Sequence, residues 1–408
     1  MKSLKEIYKI GRGPSSSHTM GPQKAATMFA QKHLGASAFE VHLYGSLAST
    51  GKGHLTDVAI IDALHGLTGA PVEIVWHPDQ VLSYHTNGMT YYAKDGDGNK
   101  SEPWTVYSVG GGTLSEGPGS LIGEGEDIYE LSTISDIMLW CKETGRHFWE
   151  YAEECESSDI WNYLSRVWEA MKTSVVNGLD AEGVLPGPLK LSRKAATYHV
   201  KATGYKPNLQ SRGLVFSYAL AVSEENASGG TVVTAPTCGS CGVLPAVLYH
   251  QWLSKDFSEQ RILRALATAG IFGNVVKSNA SISGAEVGCQ GEVGVACAMA
   301  AAATCQLFGG SPRQVEYAAE MGLEHHLGMT CDPVCGLVQI PCIERNAFAA
   351  ARALDANQYA SLSDGYHRVT FDDVVRVMKQ TGHDLPSLYK ETGEGGLAKG
   401  FDEAFRMY

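Results

Sequence analysis

Hydrophobic and polar positions recur with two different periods along this chain, and the change from one to the other divides it. Over residues 21–34 (GPQKAATMFAQKHL), Ala25, Met28, Phe29 and Leu34 fall on one helical stripe, with Pro22 near the start and Gly35 beyond the end. That pattern predicts a capped helix. AFEVHLYGSL then sets Phe39, Val41 and Leu43 against Glu40, His42 and Tyr44 with the two-residue period of a half-buried strand, and PVEIVWH and WTVYSV look similar. From about residue 155 the spacing turns helical: SEQRILRALATAGIF, VGVACAMAAAATCQLF and SPRQVEYAAEMGLEHHL are long apolar-bearing segments separated by glycine-rich turns. Between the two regions HFWEYAEECESSDI is acidic and polar, a linker or an edge helix. The expected fold class is an α+β N-terminal domain followed by a larger all-α domain, over residues 1–150 and 151–408.

Composition narrows the function classes. An apolar share of 44% supplies ample core for two domains, and 46 glycines point to many turns. With 32 basic against 44 acidic residues the net charge is -12, and that field repels phosphate backbones and anionic bilayers. Neither nucleic acid nor a membrane surface is an expected partner. The stretch MKSLKEIYKIGRGPSSSH has no apolar signal core, and no apolar run approaches the roughly eighteen residues of a spanning helix, so a cytoplasmic location is expected. Ten cysteines in a reducing compartment read as buried thiols, metal ligands or redox groups rather than as a disulfide framework.

Two segments carry candidate chemistry before any cysteine is considered. GSLASTGKGH looks like a phosphate-binding loop, but five residues rather than four separate Gly45 from Gly51, and Gly53 stands where Ser or Thr should follow Lys52. The nucleotide reading is rejected. What remains is a flexible loop opening a helix capped by Thr56, with His54 either solvated or held beside backbone donors at the loop's end. GPSSSHTMGP places Ser15, Ser16, Ser17 and His18 just before a helix start, where free N–H donors and the positive end of the helix dipole suit a carboxylate or phosphate. The bland alternative is a flexible tail ahead of a capped helix.

The cysteines separate by setting. Cys141 and Cys155 are isolated, and Cys297 and Cys305 lie on an alanine-rich helix where a thiol behaves as a small hydrophobe. Cys289, Cys331, Cys335 and Cys342 sit in Gly/Pro-rich loops, and Cys238 and Cys241 form a CxxC. Two metal readings follow. Cys238, Cys241, Cys331 and Cys335 could close a structural zinc site, or three loop cysteines could hold an iron-sulfur cluster and leave one iron without a protein ligand. Only the second gives a Lewis acid open to substrate.

Five segments then coincide with a known pattern: KIGRGPSSSHTMGP, STGKGH, EGVLPGPLK, NASISGAEVGCQGEVGVAC and EHHLGMTCDPVCGLVQIPCIERN. In these the chain resembles the bacterial iron-sulfur-dependent L-serine dehydratases over nearly its whole length. Cluster cysteines in that family are separated by 41 and then 10 residues, and Cys289, Cys331 and Cys342 repeat the spacing. The resemblance implies that these three ligate a 4Fe-4S cluster in the helical domain, that His54 is the catalytic base, and that His18 with Ser15, Ser16 and Ser17 holds the substrate. It also implies conversion of L-serine, or of another small β-hydroxy amino acid such as L-threonine, to the keto acid and ammonia, by a homodimer. There are three departures. Some relatives end in a cysteine that folds back onto the cluster whereas this chain ends in FRMY, Cys238 stands where many members have asparagine, and Cys335 replaces a small residue. Two other readings stay open: a pyridoxal-phosphate dehydratase using Lys277, and a non-catalytic zinc-stabilised binding protein.

Overall fold

The computed structural model describes residues 1–123 and 125–405. Its strands are Ile10–Arg12 (β1), Ala38–Tyr44 (β2), Val72–His77 (β3), Gly88–Lys94 (β4), Trp104–Ser108 (β5), Leu114–Gly117 (β6), Ser120–Ile122 (β7) and Thr231–Val233 (β8). The alternation that begins at Ala38 forms β2, which pairs parallel with β3 on one side and antiparallel with β4 on the other. The sheet order is β3-β2-β4-β5-β6-β7. Phe39, Val41 and Leu43 face the helix Gly21–Lys32, whose Ala25, Phe29 and Ala30 are buried in the same core. Phe29 stacks on Trp104 with ring centroids 5.8 Å apart, and burying a side chain of that size contributes about 1.5–3 kcal/mol. The predicted stripe ended on Leu34, but the helix stops at Lys32 and Leu34 is exposed.

Two local expectations change. GSLAST is a helix, Gly45–Thr50, rather than a flexible loop, with the hydroxyls of Ser49 and Thr50 turned back onto the carbonyls of Gly45 and Ser46. Thr56 does not cap the next helix, Thr56–Thr68; Leu55 in a left-handed conformation precedes it. The Thr56 hydroxyl instead donates to the His18 carbonyl at 2.6 Å, a tertiary partner that competes successfully with the local cap.

The sheet layer ends at Ile122, and helices from Ile134–Thr144 onward pack in the larger helical core. The structural division therefore falls at about residue 125, earlier than the expected 150. The acidic stretch after His147 is the helix Phe148–Cys155, with Phe148, Tyr151 and Ala152 buried. At the centre of the helical layer, Val295–Leu307 is apolar all round and buried on every side, as a helix enclosed by others must be. The helices Glu259–Asn279, Pro312–Glu324 and Cys342–Ser361 surround it.

The first residues of the chain belong to this second layer. Leu4, Ile7 and Tyr8 are fully buried there, and the Tyr8 hydroxyl donates to the Leu266 carbonyl at 2.8 Å. β1 pairs antiparallel with β8, Ile10 opposite Val233. The segment that follows β1 is thereby moored to the helices. Asn226 Nδ2 donates to the Pro14 carbonyl at 2.9 Å, and a Cβ on Gly13 would lie 2.2 Å from Asn226 Oδ1, so only glycine fits. No helix among the described residues is long and apolar enough to cross a membrane.

Candidate active site

Ser15 organises the serine-rich turn. Its hydroxyl accepts the His18 N–H at 3.1 Å, and its carbonyl accepts those of Thr19 and Met20 at 2.9 and 3.1 Å. Those donors, expected to be free for an anion, are consumed by the turn Ser16–Met20 itself; the N–H groups of Ser16 and Ser17 remain unpaired among the described residues. Ser17 Oγ lies 2.9 Å from His18 Nδ1, and Ser46 Oγ lies 2.9 Å from His18 Nε2, so the imidazole is held at both ends.

His54 is not a solvated loop residue: both it and His18 are fully buried, with ring centroids 4.5 Å apart. The Thr19 hydroxyl donates to the His54 carbonyl at 2.7 Å and ties the two segments together. His54 Nδ1 is 3.2 Å from Thr50 Oγ1, whose one hydrogen already goes to the Ser46 carbonyl at 2.8 Å. The bond therefore runs from Nδ1–H to Thr50, which fixes the tautomer. Nε2 is left bare, buried and without a partner among the described residues. Burial pushes the His54 imidazole down to about 4 and that of His18 well below its ordinary value, the latter also opposed by His54. Both rings are neutral at pH 7.

The cysteine loops converge nearby. Cys289 precedes the turn Gln290–Gly294 that opens the central helix, and Cys342 begins the helix Cys342–Ser361. Ligand atoms of Cys289, Glu292 and Cys331 all lie within 4.8 Å of one another, with Cys331 Sγ 3.9 Å from Glu292 Oε2. A hydrogen bond from Cys331, helped by the Arg345 guanidinium, lowers the Cys289 thiol against its burial, while the same bond and burial push Cys331 well up. Of the two, Cys289 is the thiol whose ionisation the surroundings favour. Cys342 shares this environment, pushed well up by burial and then by the charges of Cys289 and Glu292. Thr237 Oγ1 donates to Glu292 Oε1 at 2.8 Å, and a Cβ on Gly284 would come within 2.6 Å of Glu292 Oε2.

One segment joins the thiols to the histidines. Cys331 N–H donates to the Tyr389 carbonyl at 2.8 Å, and Glu391 N–H donates to the Cys331 carbonyl at 2.7 Å. Glu391 Oε1 lies 3.7 Å from His18 Nδ1, and burial, with the charges of Glu292 and Cys289, pushes that carboxyl well up. Leu397 N–H donates to Asp332 Oδ2 at 2.7 Å on the far side. Gly53 packs on Gly336, and a cavity of about 300 Å³ lies at this junction, lined by Thr50, Lys52, Gly53, Pro186, Cys335 and Gln339 among others.

Both parts of the chain match family models: Serine dehydratase beta chain over residues 3–74 and Serine dehydratase alpha chain over residues 80–398. The chain belongs to the serine dehydratase family. It is 41% identical to the L-serine dehydratase of Streptomyces coelicolor, covering 97% of this chain and 98% of that protein. It is 40% identical to the L-serine dehydratase of Haemophilus influenzae and to L-serine dehydratase 1 of Escherichia coli, covering 98% of this chain and 99% of each relative.

Within this serine dehydratase fold the zinc set does not assemble. Cys238 and Cys241 are buried, with Cys238 Sγ 3.8 Å from Met20 Sδ, and Cys335 is exposed. Among the described residues the one group of three potential metal ligands is Cys289, Glu292 and Cys331. Lys277 lines a separate cavity with Ser281 and Ser283, not the Ser15–Ser17 turn. The chain's terminal residues 406–408, part of the FRMY departure, lie outside the described residues. Glu292, Arg345, Glu391 and Thr50 are site residues that sequence reasoning missed. Glu292 and Arg345 carried a signal, each standing three residues after a loop cysteine, Cys289 and Cys342.

Proposed function

We propose that the chain is an L-serine ammonia-lyase, forming pyruvate and ammonia, with Cys289, Cys331 and Cys342 holding a 4Fe-4S cluster. The observation that carries this reading is a set of buried, mutually interacting thiols, linked through Glu391 to His18, whose ring packs on His54, the imidazole whose Nε2 has no partner among the described residues. Three soft sulfur donors, with the Arg345 guanidinium beside them to favour the ionised form of Cys289, are the donor chemistry that iron-sulfur clusters require. Bound there, the cluster would supply a Lewis acid that stabilises the hydroxide leaving Cβ of the substrate.

The chain's own residues do the rest. His54 Nε2 accepts the α-proton, its lone pair kept free by the Thr50 bond at Nδ1 and kept unprotonated by burial. His18, clamped between Ser17 and Ser46, packs against His54 and holds its ring in place. The N–H groups of Ser16 and Ser17 donate to the substrate carboxylate. Ser15 serves by shaping that turn. Loss of the α-proton and of the β-hydroxide leaves aminoacrylate, which tautomerises to the imine and hydrolyses to pyruvate and ammonia without further protein groups. Ten free cysteines suit the reducing cytoplasm, where we place the enzyme.

The deciding experiment is an anaerobic assay of pyruvate from L-serine, and of 2-oxobutyrate from L-threonine, with iron and sulfide counted on the same sample. Turnover of L-serine that scales with iron content is expected. Full turnover in iron-free protein, or absorbance of a pyridoxal aldimine, would overturn the reading.

A further inference from the structure

The helix Pro312–Glu324 carries Glu316, Glu320 and Glu324 at four-residue spacing, three like charges on one face, an arrangement that weakens a helix through repulsion. The outer two are accounted for. Glu316 accepts the Phe371 N–H at 2.7 Å and lies 3.0 Å from His367 Nε2, while Glu324 is exposed. Glu320 is different: it is 3% exposed, and its carboxyl has neither a hydrogen bond nor an ion pair among the described residues. Burial, with the nearby carboxylates of Glu324 and Glu316, pushes that group up to about 8. A carboxyl that has no protein partner and meets only the cavity is poorly hydrated, and a cation would relieve the cost.

Glu320 lines a cavity of about 540 Å³ that also holds Tyr317, His367, Arg352 and Arg368. The Tyr317 and His367 rings stack with centroids 4.2 Å apart and make a flat wall. Arg352 and Arg368 are exposed and form no ion pair with Glu320. A metal ion is a poor fit, because no three ligand atoms converge at this cavity among the described residues. A ligand with an organic ammonium at one end and an anion at the other matches both the acidic floor and the basic rim. We propose that this cavity binds a free α-amino acid, its ammonium against Glu320 and its carboxylate against Arg352 or Arg368. The site shares no lining residue with the cysteine and histidine cluster and stands independently of the reaction assigned there.

The test is calorimetric titration of the anaerobically purified full chain with glycine and with L-phenylalanine, neither of which has a hydroxyl to eliminate. One of them should bind saturably at one site per chain, with methylammonium chloride and sodium acetate each at least tenfold weaker. Glu320→Gln should weaken that binding at least tenfold and leave L-serine turnover in its absence unchanged. The double variant Arg352→Gln with Arg368→Gln, on the exposed rim, should also weaken it, and carries the test alone if Glu320→Gln does not fold. Absence of saturable binding by both probes, or undiminished affinity in the variants, would overturn the proposal; binding at the catalytic cluster would show as that undiminished affinity.

Discussion

Thr50 decides which nitrogen of His54 is bare: its hydroxyl hydrogen is spent on the Ser46 carbonyl, so it can only accept from Nδ1–H. Thr50→Val removes the acceptor and lets the tautomers mix. We expect kcat to fall about tenfold, and His54→Gln to cost about 10²- to 10⁴-fold, both with iron content unchanged. Nitrogen NMR of His54 checks the premise directly, since a proton found on Nε2 in the resting protein would end this assignment.

The pH dependence has a definite sign. His54 has a folded value of about 4 against an ordinary value near 6.5, so between those limits the unfolded chain takes a proton that the folded chain refuses. Its contribution to stability is therefore present above about 6.5 and is lost as pH falls toward 4, at about 1.4 kcal/mol per unit. Urea unfolding of wild type beside His54→Gln should show the difference shifting against wild type on acidification. In the same range kcat/KM should show no break near 6.5. A break there would mean that the ring is solvated.

Replacing thiols separates ligands from packing. Cys289→Ser, Cys331→Ser and Cys342→Ser should each lose colour, iron and turnover. Cys297→Ser, on the enclosed alanine-rich helix, should keep all three, as should Cys238→Ala. Equal iron loss in Cys297→Ser and Cys289→Ser would refute the ligand set.

Gly284→Ala probes the space beside the thiols. Its methyl would lie 2.6 Å from Glu292 Oε2 and 3.2 Å from Cys331 Sγ, so one of those groups must move. The expected result is less iron per chain and a stability loss of about 1–3 kcal/mol, read by metal analysis and by thermal unfolding.

Metal removal gives the last expectation. Prolonged aeration with a chelator should abolish turnover, and ferrous iron with a reductant should restore it. Protein that keeps full activity through that treatment has no need of iron.

Local chemistry made much of this legible. The strand at Ala38–Tyr44, the helix from Gly21 and the enclosed helix at Val295 follow from periodicity, because burial on one face or on all faces writes itself into neighbouring positions. The proposed thiol trio comes from its spacing through the family pattern alone; the ligand atoms that converge among the described residues are those of Cys289, Glu292 and Cys331. What failed were features decided by side-chain partners that apolar periodicity does not mark. Thr56 looks like a cap, yet its hydroxyl serves His18, and GSLAST looks like a loop until its hydroxyls fold back onto the preceding turn. Glu391 lies far along the chain from every residue it meets, and nothing in its own neighbourhood marks it.

The grip of Tyr389 and Glu391 on Cys331 sets an order of assembly. All three sulfurs are synthesised before that clasp, so on the cluster reading proposed above the nascent chain would carry its ligands while their cover does not yet exist. On the same reading, reloading the closed protein would have to open the Tyr389 and Glu391 bonds to Cys331, and repair should be slower than first loading.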